Sequence, residues 1–299
     1  MKWGEIEIDR LSDGNLWLDG GAMFGVVPKT LWNRKTPCDE HNRIRLATNC
    51  LLVRSLGKTL LIDTGCGNKF SRKEAQIYRI EHRSTLLGQL KSCGVSPGDV
   101  DMVINTHLHF DHSGNNTLPE GDALKPTFPN ALYLVRRDEH QEATSTHERN
   151  SASYDPRNWQ PLEASGQLEL VDDEREVVAG VRLLHTPGHT AGHQSVLIES
   201  QGKSLLYIGD LCPTQAHVPL PWIMGYDLYP VTTLRTRQRI YRQAANVAWT
   251  IFFEHDPEKV TGVLREEEGR YRVEEVEIFG NGAGDEAQRT LSEDAESAE

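Results

Sequence analysis

The chain has 299 residues, 37% of them hydrophobic, and a formal net charge of −12 at pH 7. That is enough apolar material for a sizeable core in one large domain or in two small ones, and the negative balance argues against nucleic acid, whose backbone is bound through Lys and Arg. No run approaches the roughly 18 consecutive apolar residues of a membrane helix, the opening stretch from Met1 to Glu7 lacks the apolar segment of a secretory signal, and five scattered cysteines without a CxxC pair fit neither a disulfide framework nor a thiolate metal site. A soluble cytoplasmic protein with no membrane partner is the expectation.

Residues up to about 45 read as an N-terminal extension, with Gly20 to Pro28 broken by Gly and Pro yet carrying Met23 and Phe24. Cys50–Arg54 and Thr59–Asp63 are apolar runs around a Gly57 turn, a hairpin whose strands are buried on both faces. Leu86, Leu87 and Leu90 have helical spacing within Ser84–Cys93, and Gly94 follows as a C-terminal cap. A strand over Asp101–Thr106 comes next, then strands at Ala131–Val135, Val181–Leu184, Ser195–Ile198 and Leu205–Ile208, a helix over Val231–Val247 and a strand over Thr250–Phe253. Strands mixed with helices in both halves predict a layered α/β domain ending at about residue 280. The remainder, 281–299, sets Asp285, Glu286, Glu293, Asp294, Glu296 and Glu299 against Arg289 and is expected to be a disordered acidic tail.

Within that layout His107-Leu108-His109-Phe110-Asp111-His112 packs four metal-ligand side chains into six residues directly after a strand. Imidazole and carboxylate ligands suit zinc, iron and manganese alike, so the run predicts metal more firmly than it predicts which one. Polar residues also stand at the ends of other strands, namely Asp63, Asp210 and His255, with His189 in Thr186-Pro187-Gly188-His189 after Leu184. Strand ends along one sheet edge are where open α/β folds place their sites.

This order of motifs resembles the metallo-β-lactamase superfamily from about Leu51 to Pro257. The resemblance implies a four-layer αββα sandwich. It assigns His107, His109 and His189 to one divalent cation, Asp111, His112 and His255 to a second, and Asp210 to both. Zinc is the expected metal, with iron, manganese or cobalt as substitutes. It further implies a hydroxide between the cations as nucleophile, with Asp111 and Asp210 as the catalytic carboxylates and Asp63 orienting a ligand by hydrogen bond. His185 and His193 are not needed as ligands, Cys212 reads as a small core residue, and Glu254 as exposed.

Asp210 stands where the best-known lactamases carry Cys, which argues against antibiotic hydrolysis. Two apolar, irregular loops read as walls of a substrate pocket: Met23 and Phe24 from the first, Trp222, Met224 and Tyr226 from Pro219–Pro230, with His217 beside them. Their wording is similar to the branch of methyl parathion hydrolase and the N-acyl-homoserine lactonases, which implies a homodimer and a small apolar lactone, ester or aryl phosphotriester as substrate. Lactonases of that branch carry Tyr three residues after the bridging Asp; here that residue is Pro213, which weakens the lactone reading in favour of a phosphotriester or general ester one, with Tyr226 and Tyr229 as the candidates to substitute. The alternatives are a glyoxalase II-like thioesterase and a mononuclear iron persulfide dioxygenase.

Overall fold

The computed structural model describes residues 1–81 and 85–280; the expected acidic tail lies outside the described residues. Among these, two seven-stranded sheets carry the fold. The first runs, in spatial order, Lys2–Trp3, Ile6–Asp19, Arg43–Ser55, Lys58–Ile62, Met102–Ile104, Leu132–Arg136 and Leu168–Val171, antiparallel as far as Lys58–Ile62 and parallel beyond it. The second runs Glu176–Val178, Val181–His185, Gln194–Ser200, Lys203–Tyr207, Thr250–Phe252, Thr261–Glu267 and Arg270–Glu275, with the single parallel pairing between Lys203–Tyr207 and Thr250–Phe252.

Alternation explains why so many strands are apolar throughout. Leu51, Val53, Leu60, Ile62, Ile104 and Leu134 face inward against Val196, Ile198, Leu205, Tyr207 and Phe252 of the second sheet. Their neighbours Cys50, Leu52, Leu61, Val103, Tyr133 and Val135 face outward under Leu86, Leu90 and Leu162 of the helices Leu86–Ser92 and Gln160–Ser165. Leu197, Leu206, Ile251 and Phe253 lie on the outer face of the second sheet beneath Ile240, Tyr241 and Ala244 of the helix Pro230–Asn246. The result is helix, sheet, sheet, helix, the expected αββα sandwich. Each fully buried Leu, Ile or Val contributes about 1.5–3 kcal/mol.

Local chemistry sets the boundaries. Leu56 and Gly57 both take positive φ in the two-residue turn between Ser55 and Lys58, the tight hairpin the sequence predicts. Pro230 opens the long helix at a position where its missing N–H costs nothing. The stretch read as an N-terminal extension holds the strand Ile6–Asp19, which pairs with Arg43–Ser55 along nearly its whole length and shifts register between Ser12 and Asn15. No helix among the described residues is long and apolar enough to cross a membrane.

Candidate metal centre

The strand Met102–Ile104 delivers Asn105, Thr106 and His107 to the sheet edge, and the single turn Phe110–Ser113 folds Asp111 and His112 back beneath His107. His107 and His112 are fully buried, and their rings lie 3.9 Å apart. His189 arrives on the turn after Val181–His185. That turn packs against the long helix at Gly188, whose φ is 143° and where a Cβ would lie 2.4 Å from Thr233 Oγ1, so a side chain there would force the two elements apart. Asp210 follows Lys203–Tyr207, and His255 follows Thr250–Phe252.

Three groups of candidate ligands result among the described residues, with the ligand atoms of each within 4.8 Å of one another: His107, His109, His189 and Asp210; Asp111, His112 and His255; and, behind the second, Asp63, His112 and Glu254. Asp210 faces the first two. Its Oδ2 lies 3.1 Å from His189 Nε2 and its Oδ1 3.2 Å from His255 Nε2. Asp111 stands 3.7 Å from His255 Nε2 and 3.9 Å from His112 Nε2.

The outward nitrogens decide what the inward ones can do. His189 Nδ1 lies 3.0 Å from Asp227 Oδ1, His255 Nδ1 2.7 Å from the Ala47 carbonyl, His107 Nδ1 3.0 Å from Thr106 Oγ1, and His112 Nδ1 3.1 Å from Asp63 Oδ2. Each of these contacts holds the proton on the outer nitrogen, so the inner Nε2 presents a lone pair. Inner nitrogens then crowd together, His189 Nε2 3.0 Å from His109 Nδ1 and His255 Nε2 3.2 Å from His112 Nε2, while His107 Nε2 and Asp210 Oδ1 are buried with no hydrogen-bond partner. Converging lone pairs and an unpartnered carboxylate oxygen fit divalent cations with nitrogen and oxygen ligands.

Burial by itself would raise the Asp210 carboxyl, yet the positive charge of His189, His255 and His112, when no cation takes up their inner nitrogens and these carry protons, holds it well below the usual carboxylate range. Asp63, buried and at φ 54°, accepts from Thr106 N and Thr106 Oγ1 at 2.7 Å each while it holds His112. A strained left-handed residue at such a place is held by what it binds. Glu254 corrects an expectation: it is fully buried, with Oε2 3.0 Å from His112 Nδ1 but outside hydrogen-bond alignment, and burial pushes its carboxyl up. His193 is a support, its Nε2 accepting from Asp210 N at 3.1 Å, and His185, half-buried, lies with Nε2 3.1 Å from the Ala191 carbonyl. Cys212 is in the core.

The supporting residues that sequence reasoning missed are Asp227, Glu139, Tyr154 and Arg237. Glu139 is fully buried and accepts from Leu108 N at 2.8 Å, Tyr154 OH at 3.1 Å and Thr190 Oγ1, so one carboxylate joins the His107–His109 segment to the His189 turn. Arg237 donates to the carbonyls of Leu211, His217 and Trp222 and pins the chain after Asp210 to the long helix. Asp227 had one sequence signal, an isolated acid in an otherwise apolar loop, and Glu139, beside Asp138 on a polar helix, had none.

The residues read as pocket walls separate. Met23, Phe24 and Met224 are buried with Trp32 in one apolar cluster, against which half-buried Trp222 and Tyr226 pack. His217 stacks on Phe24 at 4.4 Å, and its Nε2 lies 2.9 Å from the Met23 carbonyl while Nδ1 lies 2.8 Å from Thr214 Oγ1. Tyr226 alone of the six lines the cavity of about 210 Å³ beside His109, with Arg149, Asn150, Ser153, Gly225 and Leu228. Tyr229 is turned elsewhere, its OH donating to Glu142 Oε1 at 2.9 Å. A larger cleft of about 580 Å³, between Lys35–Pro37 and Glu258–Lys259, is lined by none of the seven candidate ligands.

The family model of the Metallo-beta-lactamase superfamily matches residues 43–255. An N-acyl homoserine lactonase of a Bacillus species is 29% identical over 227 residues, 71% of this chain and 82% of its own. Among solved structures, a probable metal-dependent hydrolase from Staphylococcus aureus superposes with a TM-score of 0.84 at 33% identity, covering 93% of this chain and 100% of its own. An N-acyl homoserine lactone hydrolase with N-hexanoyl-L-homoserine at its catalytic metal centre gives 0.65 at 26%, covering 84% and 93%. The family match spans every candidate ligand, and the chain belongs to the metallo-β-lactamase superfamily as a metal-dependent hydrolase.

Proposed function

We propose that this chain opens the ring of N-acyl lactones, with aryl phosphotriesters and aryl esters as slower substrates. The observation that carries the reading is Asp210, a single buried carboxylate with one oxygen toward each histidine group. Two divalent cations held there, zinc in the first instance, would supply hydroxide at neutral pH and polarise the substrate carbonyl. Likeness to lactone hydrolases at 29% and 26% identity supports the substrate class.

In this reading His107, His109 and His189 would hold one cation and Asp111, His112 and His255 the other, with Asp210 shared between the two groups. Asp111, at 7% exposure the edge of its group, would take the proton of the attacking hydroxide and pass it to the alkoxide oxygen that leaves when the ring opens. The lactone enters beside His109, where Tyr226 forms a wall of the cavity and stands in for the Tyr replaced by Pro213. The apolar cluster of Met23, Phe24, Trp222 and Met224 backs that wall and keeps it rigid.

A substrate panel of N-acyl lactones, aryl phosphotriesters, thioesters and aryl esters, run on the zinc-loaded protein, tests the assignment. The lactones should give the highest kcat/KM; a thioester or triester preferred by tenfold or more would overturn it.

A further inference from the structure

On four of the five histidines the outward ring nitrogen is tied to a neighbour. His109 is the exception. Its Nδ1 faces His189 Nε2 at 3.0 Å, and its Nε2 is buried with no partner among the described residues. His109 lines the cavity of about 210 Å³, and on the same cavity stands Asn150, 2% exposed. Asn150 Oδ1 accepts from the His147 backbone N–H at 2.8 Å, which fixes the orientation of the amide, and the Nδ2 that remains has no partner either.

Two buried donors left unpaired on residues that line one cavity carry a desolvation cost that an acceptor reaching them removes. Arg149, their neighbour there, is already engaged, its Nη2 donating to the Gly225 carbonyl at 2.7 Å. Tyr226 and Leu228 add apolar surface. The cavity therefore suits a small group with a carbonyl oxygen and an alkyl continuation.

Resting on the lactone reading, we infer that Asn150 Nδ2 and His109 Nε2 donate to a substrate carbonyl remote from the scissile bond, the amide carbonyl of an N-acyl lactone, and that Asn150 is a specificity-determining residue. An unsubstituted lactone lacks that carbonyl and gains nothing from the pair.

Asn150→Ala and Asn150→Asp are compared with the parent chain, all zinc-loaded, on N-hexanoyl homoserine lactone and on γ-butyrolactone, with a thermal melt to establish folding. Asp keeps an acceptor for His147 N and removes the donor, so it decides the matter if the Ala variant does not fold. KM for the acylated lactone should rise about tenfold in both variants with kcat within about twofold, and the γ-butyrolactone kinetics should not change. Equal loss on both lactones, or no loss on either, overturns the inference and leaves lactone hydrolysis standing, since the parent chain's turnover is read in the same assay. A parent chain inactive on both lactones overturns both.

Discussion

Asp227 Oδ1 lies 3.0 Å from His189 Nδ1, and this contact ties the apolar loop beside the cavity to the metal centre. Asp227 is 1% exposed, so its carboxylate works in a medium where a charge-assisted hydrogen bond is strong. It fixes the tautomer that leaves His189 Nε2 free toward Asp210. Asp227→Asn should weaken zinc affinity about 10- to 100-fold, read by competition with a chromogenic chelator. Unchanged affinity would show that the ring is held by packing alone.

Glu139 is the second device of this kind. Glu139→Ala leaves Leu108 N, Thr190 Oγ1 and Tyr154 OH without their acceptor. Buried donors without partners cost about 1–3 kcal/mol each, so a loss of about 3 kcal/mol or more in chemical denaturation is expected, with Glu139→Gln recovering part of it. Burial also pushes this carboxyl up to about 7, against the hydrogen bonds from Thr190 and Leu108.

The pH dependence of stability has a clear contributor in His217. Burial, then the nearby Arg237, lowers it from 6.5 to about 3. The unfolded chain therefore takes up a proton below pH 6.5 that the folded chain refuses until about pH 3, so stability falls with falling pH across that window. His217→Gln keeps the contacts to Met23 and Thr214 in outline and removes the titration. The advantage of the parent chain over this variant should shrink by about 1.4 kcal/mol per pH unit as pH falls through the window. A constant gap would contradict the assignment.

Asp210→Asn keeps the shape of the side chain and removes the charge that faces both His189 and His255. Metal content and turnover should fall together, measured by elemental analysis and lactone hydrolysis on the same sample, with kcat reduced about 100-fold or more. Full activity in this variant would remove the bridging role.

The candidate ligands were legible because their chemistry is local: six consecutive positions and three strand ends carry it, and the αββα layers follow from apolar runs that the two sheet faces divide between them. The strand Ile6–Asp19 was not legible, because Asp9, Arg10, Ser12 and Asp13 interrupt the apolar alternation and the register shift after Ser12 breaks its period. Arg270–Glu275, a mostly polar edge strand, gives no apolar signal at all. Glu139 and Asn150 act through contacts across the fold, Glu139 reaching Thr190 from 51 residues away, and no local pattern marks them, whereas Asp227 stands out only as the single acid of an apolar loop. Met23 and Phe24 carried the right signal for burial, but an apolar loop that packs and one that lines a pocket have the same composition.

On the proposed reading, two cations shared by Asp210 open a lactone ring. Chelator-treated protein titrated with zinc, with N-hexanoyl homoserine lactone hydrolysis followed at each addition, tests it most directly. The rate should climb to a plateau at two equivalents per chain; a plateau at one equivalent, or no hydrolysis at any loading, would rule out a lactone-opening pair of cations.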